Sequence, residues 1–350
     1  MFTMKNIRLS VLDQSPVRKG VTATQAVQET VELAKLTDAL GYHRFWVSEH
    51  HNTGSLAGST PEVLIAHLGG QTKHIRLGSG GVMLPNHSAL KVAENFRMLE
   101  AMFPGRIDLG MGRAPGTDRI TASVLNPSNK FNEQDFVEQL MDLQNYFHDT
   151  AETGPVAAKI RAIPLIDTVP GMWLLSSSGQ SSLFAAHFGM GFSFAHFINP
   201  VGGAQAVELY RARFQPSPDL AQPEANVAIF AFCSEDEEKI RQHQAVMDYR
   251  FLQFEKGGGI NPLAYEEVKD AEYTPQDLER IRMNRRRMVI GTPEQMKATI
   301  TRLAETYAVD EIILVTIAED FDDRLKSYEL LAQQFELPAP KYATSEAIIS

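Results

Sequence analysis

Cysteine is almost absent. Cys233 is the one thiol in 350 residues, so no intramolecular disulfide can form and packing must hold the chain, as suits a reducing cytoplasm. A basic excess is missing too. The 33 Lys and Arg stand against 43 Asp and Glu, a net charge of −10. That balance denies a nucleic-acid surface its basic footprint and offers no pull toward anionic lipid. No apolar run approaches the roughly 18 residues that would span a bilayer. The opening MFTMKNIRLSVLDQSP carries no apolar stretch of signal-peptide length. The expectation is a cytoplasmic protein without a membrane span. Repeats and low-complexity tracts are also lacking. At 43% apolar and 22% charged residues, the composition is that of a globular protein with a sizeable core.

What is present is a regular alternation. Short strands are expected at Ile7–Leu12, Arg44–Ser48, Ile75–Met83, Ile107–Met111, Met172–Ser176, Gly191–Ala195, Val227–Phe232 and Glu311–Thr316. Helices are expected at Thr24–Leu40, Pro61–Thr72, Ala89–Met102, Glu133–Phe147, Ser181–Phe188 and Gly203–Phe214, then from Asp236, and at Glu294–Tyr307. Segments such as MWLLS, VAIFAF and IILVT are apolar on both faces, as buried parallel strands are. Eight strand–helix units predict an α/β fold, a (β/α)8 TIM barrel with insertions, as one domain over 1–335 with a C-terminal tail over 336–350. The rival, an open doubly wound sheet, would place a glycine-rich turn after its first strand, where DQSPVRKG stands instead. Long connections precede the fifth strand (149–171) and the eighth, the latter containing FEKGGGINPLAYEEV. Insertions of that length usually form lids or extra helices.

Barrel chemistry gathers at the C-terminal strand ends. One end reads FWVSEHH, with Glu49, His50 and His51 where a strand meets a loop. Successive side chains of an extended segment point opposite ways, so adjacent histidines chelate one metal poorly. An acid–base or hydrogen-bonding role for His50 is the better reading, and a packed histidine the bland one. No metal is expected. A second end holds SSSGQSS, with Ser177, Ser178, Gly179 and Ser181 opening a helix. It is either a phosphate cradle or an ordinary N-cap. Gly78, Gly80 and Gly81, with Ser79 among them, interrupt an otherwise good strand, which calls for a bulge or for a flat ligand on bare backbone. Arg113, after GMG, suits either a phosphate or a rim ion pair.

Taken together, FWVSEHH, RLGSGGVMLPNHSALKVAENFRMLEAMFPGRIDLGMGRAPGTD, WLLSSSGQSSLFAAHFGMGFSFAHF and VIGTPEQM resemble the bacterial luciferase-like flavin-dependent monooxygenases, in particular the single-chain alkanal-monooxygenase-like subgroup. The resemblance covers most of residues 7–320. It implies a barrel that takes reduced FMN, delivered by a separate flavin reductase, and uses O2 to oxidise a small organic substrate. It also implies a homodimer or higher oligomer. Carried onto this chain, it places a non-proline cis peptide at Gly80–Gly81 beside the flavin ring, with Ser79 next to it. It puts the phosphate at Ser177, Ser178, Gly179, Ser181 and Arg113, and makes His50 the catalytic histidine with Glu49 before it. FINP and DYRFLQFEKGGG line the substrate pocket. Two departures stand out: Gly112 occupies the position of the luciferases' reactive cysteine, and FNEQDF offers no second phosphate-binding arginine. Deazaflavin-dependent hydride transfer on the same fold and a non-catalytic flavin carrier are the alternatives.

Overall fold

The computed structural model describes residues 6–114, 116–150, 160–259 and 261–340. Its strands are β1 (Arg8–Asp13), β2 (Arg44–Val47), β3 (Arg76–Met83), β4 (Ile107–Gly112), β5 (Gly171–Ser176), β6 (Gly191–Ala195), β7 (Ala225–Cys233), β8 (Met288–Gly291) and β9 (Glu311–Val315). All pairings among them are parallel. β1 to β7 follow in order, β7 joins β9, and β9 returns to β1, which closes a ring of eight. Around it run α1 (Ala23–Ala39), α2 (Pro61–Gln71), α3 (Ala89–Met102), α4 (Arg119–Leu125), α5 (Glu133–His148), α6 (Gln180–His187), α7 (Gly203–Arg213), α8 (Glu237–Glu255), α9 (Tyr265–Val268), α10 (Pro275–Arg285), α11 (Pro293–Tyr307) and α12 (Phe321–Gln334).

The expected barrel is therefore present, and its eight strands lie where the buried apolar runs fall. The additional strand, β8, was not anticipated. The first half of β7 pairs with β6 and its last residues, Phe230–Cys233, pair with β8. A four-residue strand gives no periodicity of its own; a partner distant in sequence creates it. Of the long connection before β5, residues 151–159 lie outside the described part. Beyond α12, Leu337 still packs on the core and the Pro338 carbonyl lies against Gly41. Residues 341–350 of the expected tail are outside the described part. Among the described residues no helix is long and apolar enough to cross a membrane.

The barrel is filled in layers. At the N-terminal ends of the strands, Arg44 is fully buried between two carboxylates. Its Nε donates to Glu311 Oε1 at 2.6 Å and its Nη1 to Asp108 Oδ2 at 2.8 Å. Ser10 donates to Glu311 at 2.7 Å, and the Trp46 indole N–H to Asp108 at 3.1 Å. One cation thus ties β2 to β4 and to β9. Above it, Trp46 and Trp173 meet edge to face, and the Arg44 guanidinium lies 4.6 Å from the Trp173 ring.

Trp46 and its neighbours account for Gly78 and Gly80 of β3, while Gly81 lies against the Gly110 backbone. A side chain at Gly78 would strike Asp108 and Trp46, and one at Gly80 would strike Leu12 and Trp46. Gly191 clears the face of Trp173 in the same way. The strand-interior glycines thus make room for tryptophans inside the barrel. The register of β3 on β4 shifts between Gly80 and Val82, so a bulge is present as well, and the Gly80–Gly81 peptide is cis.

Breaking a buried pair by removing one partner costs about 3–5 kcal/mol, because the charge left behind is uncompensated. Arg44→Met should lower stability by at least that amount, since two carboxylates lose their partner. Burial alone would raise Asp108 and Glu311; Arg44, with Arg76 on Asp108 and His43 and Arg8 on Glu311, holds both below their ordinary values of 3.8 and 4.5. Groups depressed in the folded state stabilise it above those ordinary values and lose that contribution as pH falls through the folded ones. The parent should therefore lose stability steeply on acidification from pH ~4.5. Arg44→Met should lose it less steeply in denaturant titrations across that range. Equal slopes would remove the cluster from the stability account.

Candidate functional site

At the opposite end of the barrel lies a cavity of about 1320 Å³. Its lining comes from the ends of β1, β2, β6, β7 and β9 and from one face of α8: His243, Val246, Met247, Arg250, Phe251 and Phe254. Those positions follow the three- and four-residue spacing of a helix stripe. The insertion between β7 and β9 thus roofs the site. Gly257, at φ +84°, ends that helix in the left-handed region that glycine tolerates. The expected pocket segments FINP and DYRFLQFEKGGG contribute Phe197, Ile198, Arg250, Phe251, Phe254 and Gly259 to the wall.

Both histidines of FWVSEHH line the cavity, but they make different hydrogen bonds. His50 faces the cavity: its Nδ1 lies 3.4 Å from the Gly116 carbonyl and its Nε2 3.2 Å from the Gln14 side-chain nitrogen. The carbonyl can only accept, so Nδ1 carries the proton and Nε2 is left with its lone pair. Burial lowers the His50 pKa, against the Gly116 carbonyl and Glu49, which raise it. A neutral imidazole with a basic Nε2 at the cavity wall is the result. Gln14, in the DQSP strand end, was missed as its partner because no sequence spacing connects β1 to β2.

Glu49 is fully buried and does not line the cavity. Its Oε1 accepts from His51 Nε2 at 2.8 Å, His87 Nε2 at 2.9 Å and Asn86 Nδ2 at 3.3 Å, and its Oε2 from the Met83 N–H at 2.8 Å. Its carboxylate is thereby engaged in pinning the exits of β2 and β3 together. So engaged, the carboxylate stands behind the cavity wall rather than at it, whereas a catalytic role was expected of Glu49. His51 points into this same structural cluster.

None of the expected cofactor residues lines the cavity. Ser79 is buried, with its hydroxyl on the Gly110 carbonyl at 2.8 Å. Neither Ser79, Gly80 nor Gly81 lines the cavity. A side chain at Gly112 would meet Met83 Sδ at 2.9 Å, so a cysteine there would displace Met83. In the serine turn, Ser176 Oγ accepts from the Ser178 N–H at 3.0 Å, and Asn199 donates to the Ser177 carbonyl at 3.0 Å. Ser181 is buried at the start of α6, and Ser182 donates back to the Gly179 carbonyl at 2.6 Å. No side chain caps α6 at Gly179, beside which there is open space. Arg113 is half-exposed, and its Nη1 lies 3.8 Å from Glu133 Oε2. Gln180, in the first turn of α6, donates to that same oxygen. A carboxylate thus stands between Arg113 and the uncapped helix start, in FNEQDF, the segment where a second arginine was sought.

Residues 7–310 match the family described as luciferase-like monooxygenase. The N-acetyl-S-alkylcysteine monooxygenase of Bacillus subtilis (strain 168) is 36% identical over 93% of this chain and 97% of its own length. The uncharacterized protein YwcH of the same strain is 48% identical over 94% of this chain and 99% of its own. Among solved structures, apo-MsnO8 superposes with a TM-score of 0.86 at 34% identity, covering 95% of this chain and 100% of that one.

The Glu49 cluster makes a titration prediction. Burial alone would lower His87, but the Glu49 carboxylate holds it above its ordinary 6.5, while Glu49, despite burial, is held below 4.5 by His87, His51 and the Met83 N–H. The pair contributes most between the two folded values, and the histidine share fades as pH rises through His87's elevated one. Glu49→Gln should therefore drop His87 below 6.5 in an NMR titration. Its stability deficit should be larger in mild acid than in mild base. A His87 titration indifferent to the substitution would dissolve the cluster.

Proposed function

The chain belongs to the luciferase-like monooxygenase family, and on that premise we propose that it is a monooxygenase using reduced FMN, supplied by a separate flavin reductase, to oxidise an organic substrate held in the cavity roofed by α8. The observation that carries the reading is the neutral His50, whose Nε2 stands at the wall of a large cavity and accepts from the Gln14 side chain.

The residues fit the cofactor. Ser177, Ser178, Gly179 and Ser181 open an uncapped helix whose first N–H groups and dipole favour an anion. Arg113 is held only by a solvent-exposed contact to Glu133 and is available to a phosphate. Reduced flavin supplies the electrons that activate O2, chemistry that belongs to the cofactor. The protein's part is to anchor the phosphate, to keep water from the reacting atoms with Phe197, Phe230 and Phe251, and to move a proton at His50 Nε2. Glu49 fixes the strand exit from which His50 projects. The thioether named in the Bacillus subtilis relative, an N-acetyl-S-alkylcysteine, is the first substrate to assay.

Charge-assisted hydrogen bonds contribute roughly 1.5–3 kcal/mol. Reduced FMN should bind more tightly than reduced riboflavin, and Arg113→Ala should weaken FMN by about tenfold or more. Glu133→Gln should tighten FMN, because a carboxylate no longer competes for Arg113 and Gln180. Anaerobic fluorescence titration measures all three. Equal FMN and riboflavin affinities would remove the phosphate site, and exclusive binding of a deazaflavin would move the chain to hydride transfer.

Positioned proton transfer contributes about 10²–10⁴-fold to a rate. His50→Gln should keep FMN affinity but convert O2 uptake from substrate oxidation to hydrogen peroxide release. Unchanged product yield from that variant would place the proton elsewhere.

A further inference from the structure

The cations around the cavity fall into two kinds. Arg18 is paired with Glu29 at 2.5 Å, Lys19 with Glu267 at 2.5 Å, and Lys239 with Asp323. Arg250 and Arg287 differ. Among the described residues neither forms an ion pair or donates a side-chain hydrogen bond, and the Nε of each is buried without a partner. Both line the cavity, Arg250 from α8 and Arg287 from the residue before β8.

Their surroundings are apolar. Phe197 and Phe230 meet edge to face at 5.1 Å, Phe230 and Phe251 lie tilted at 5.4 Å, and the Arg287 guanidinium lies 5.0 Å from the Phe251 ring. An aromatic wall thus leads from the β6 end to a guanidinium. Nearby, His243 stacks on Phe232 at 4.0 Å; burial, followed by Arg250, lowers its pKa to about 3, so it adds no charge. Glu255 acts on Arg287 through space, but its carboxylate is bound by Arg280 at 2.7 and 3.0 Å.

A buried charge without a partner is costly, and arginine is almost never withdrawn from water without a counter-charge. Arg250 and Arg287 are each partly buried with Nε enclosed, so a counter-charge on something the cavity receives would offset their loss of water. We propose that the substrate is an organic carboxylate with an apolar body, its carboxylate engaged by Arg250 and Arg287 and its body laid along Phe197, Phe230 and Phe251. Guanidinium suits a carboxylate because its planar fork matches two oxygens. Burial lowers the pKa of Arg250 with no opposing acid, in keeping with a cation that awaits its partner. The proposal names the substrate class for the monooxygenase reading above and rests on its assignment of this cavity.

Binding without flavin or turnover tests it apart from that reading. The probes are the straight-chain carboxylates from hexanoate to dodecanoate, 4-phenylbutyrate, and the primary amide of each, titrated into the full chain by calorimetry. The best carboxylate should bind about tenfold or more tightly than its amide, as a charge-assisted bond lost to a neutral isostere predicts. Arg250→Gln and Arg287→Gln should each shrink that ratio and together abolish it. Lys239→Gln, which breaks a pair that already exists, should leave it intact. Arg250→Met should melt no lower than the parent without probe, because removing an unpaired buried charge relieves a desolvation cost. Equal affinity for acid and amide, no binding by any carboxylate of the series, or a ratio that survives the double substitution would overturn the proposal. So would loss of FMN affinity in Arg250→Gln with an unchanged ratio, which would give the guanidinium to the flavin.

Discussion

The buried Arg44 holds the architecture together. A barrel closes only if its first and last strands meet in register, and Arg44 reaches Glu311 on β9 and Asp108 on β4 from a position on β2. A lone cation could not stay at that depth. Two carboxylates compensate it. Ser10 and the Trp46 indole donate to the same oxygens as Arg44 Nε and Nη1, and Arg44 Nη2 and Arg76 hold the other two. Each member is useful only if the others are present, which gives the closed ring its cooperativity. The inner tryptophans rest on this platform, and the glycines of β3 and β6 are the space those rings require. The layer beneath therefore sets the shape of the functional end.

A buried charge also organises the upper end. Glu49 gathers donors from His51, Asn86, His87 and the Met83 backbone, which ties the β2 exit to the β3 exit. Glu49 is buried behind the cavity wall, while its neighbour His50 lines the cavity. Compensated charges thus do structural work at both ends of the barrel. Those left uncompensated, Arg250 and Arg287, lie on the inserted segment that differs most from a plain barrel. The strand ends carry His50, and the insertion carries Arg250 and Arg287 on the same cavity.

Much was legible in the sequence for a physical reason. Buried parallel strands need apolar residues on both faces and amphipathic helices need a stripe, so periodicity located the eight barrel strands and most of the helices. The functional strand ends were legible too, since polar or glycine-rich clusters directly after apolar runs have few structural explanations.

Partnership was not legible. The glycines of β3 read as a bulge or as ligand space; the bulge is present, and the closed ring also brings Trp46 and Leu12 against Gly80. Glu49 read as catalytic, but its donors come from residues 34 to 38 positions away as well as from its neighbour His51. β8 exists because the end of β7 offers it an edge. Arg250 and Arg287 are two of 33 basic residues in the sequence, and nothing local marks them as unpaired. Periodicity records what a segment buries, so the sequence by itself determined the strands, the helices and the chemical character of the strand ends. Charge compensation is settled by distances between segments far apart in the chain, so only the tertiary structure decided which groups hold the barrel and which wait for a ligand.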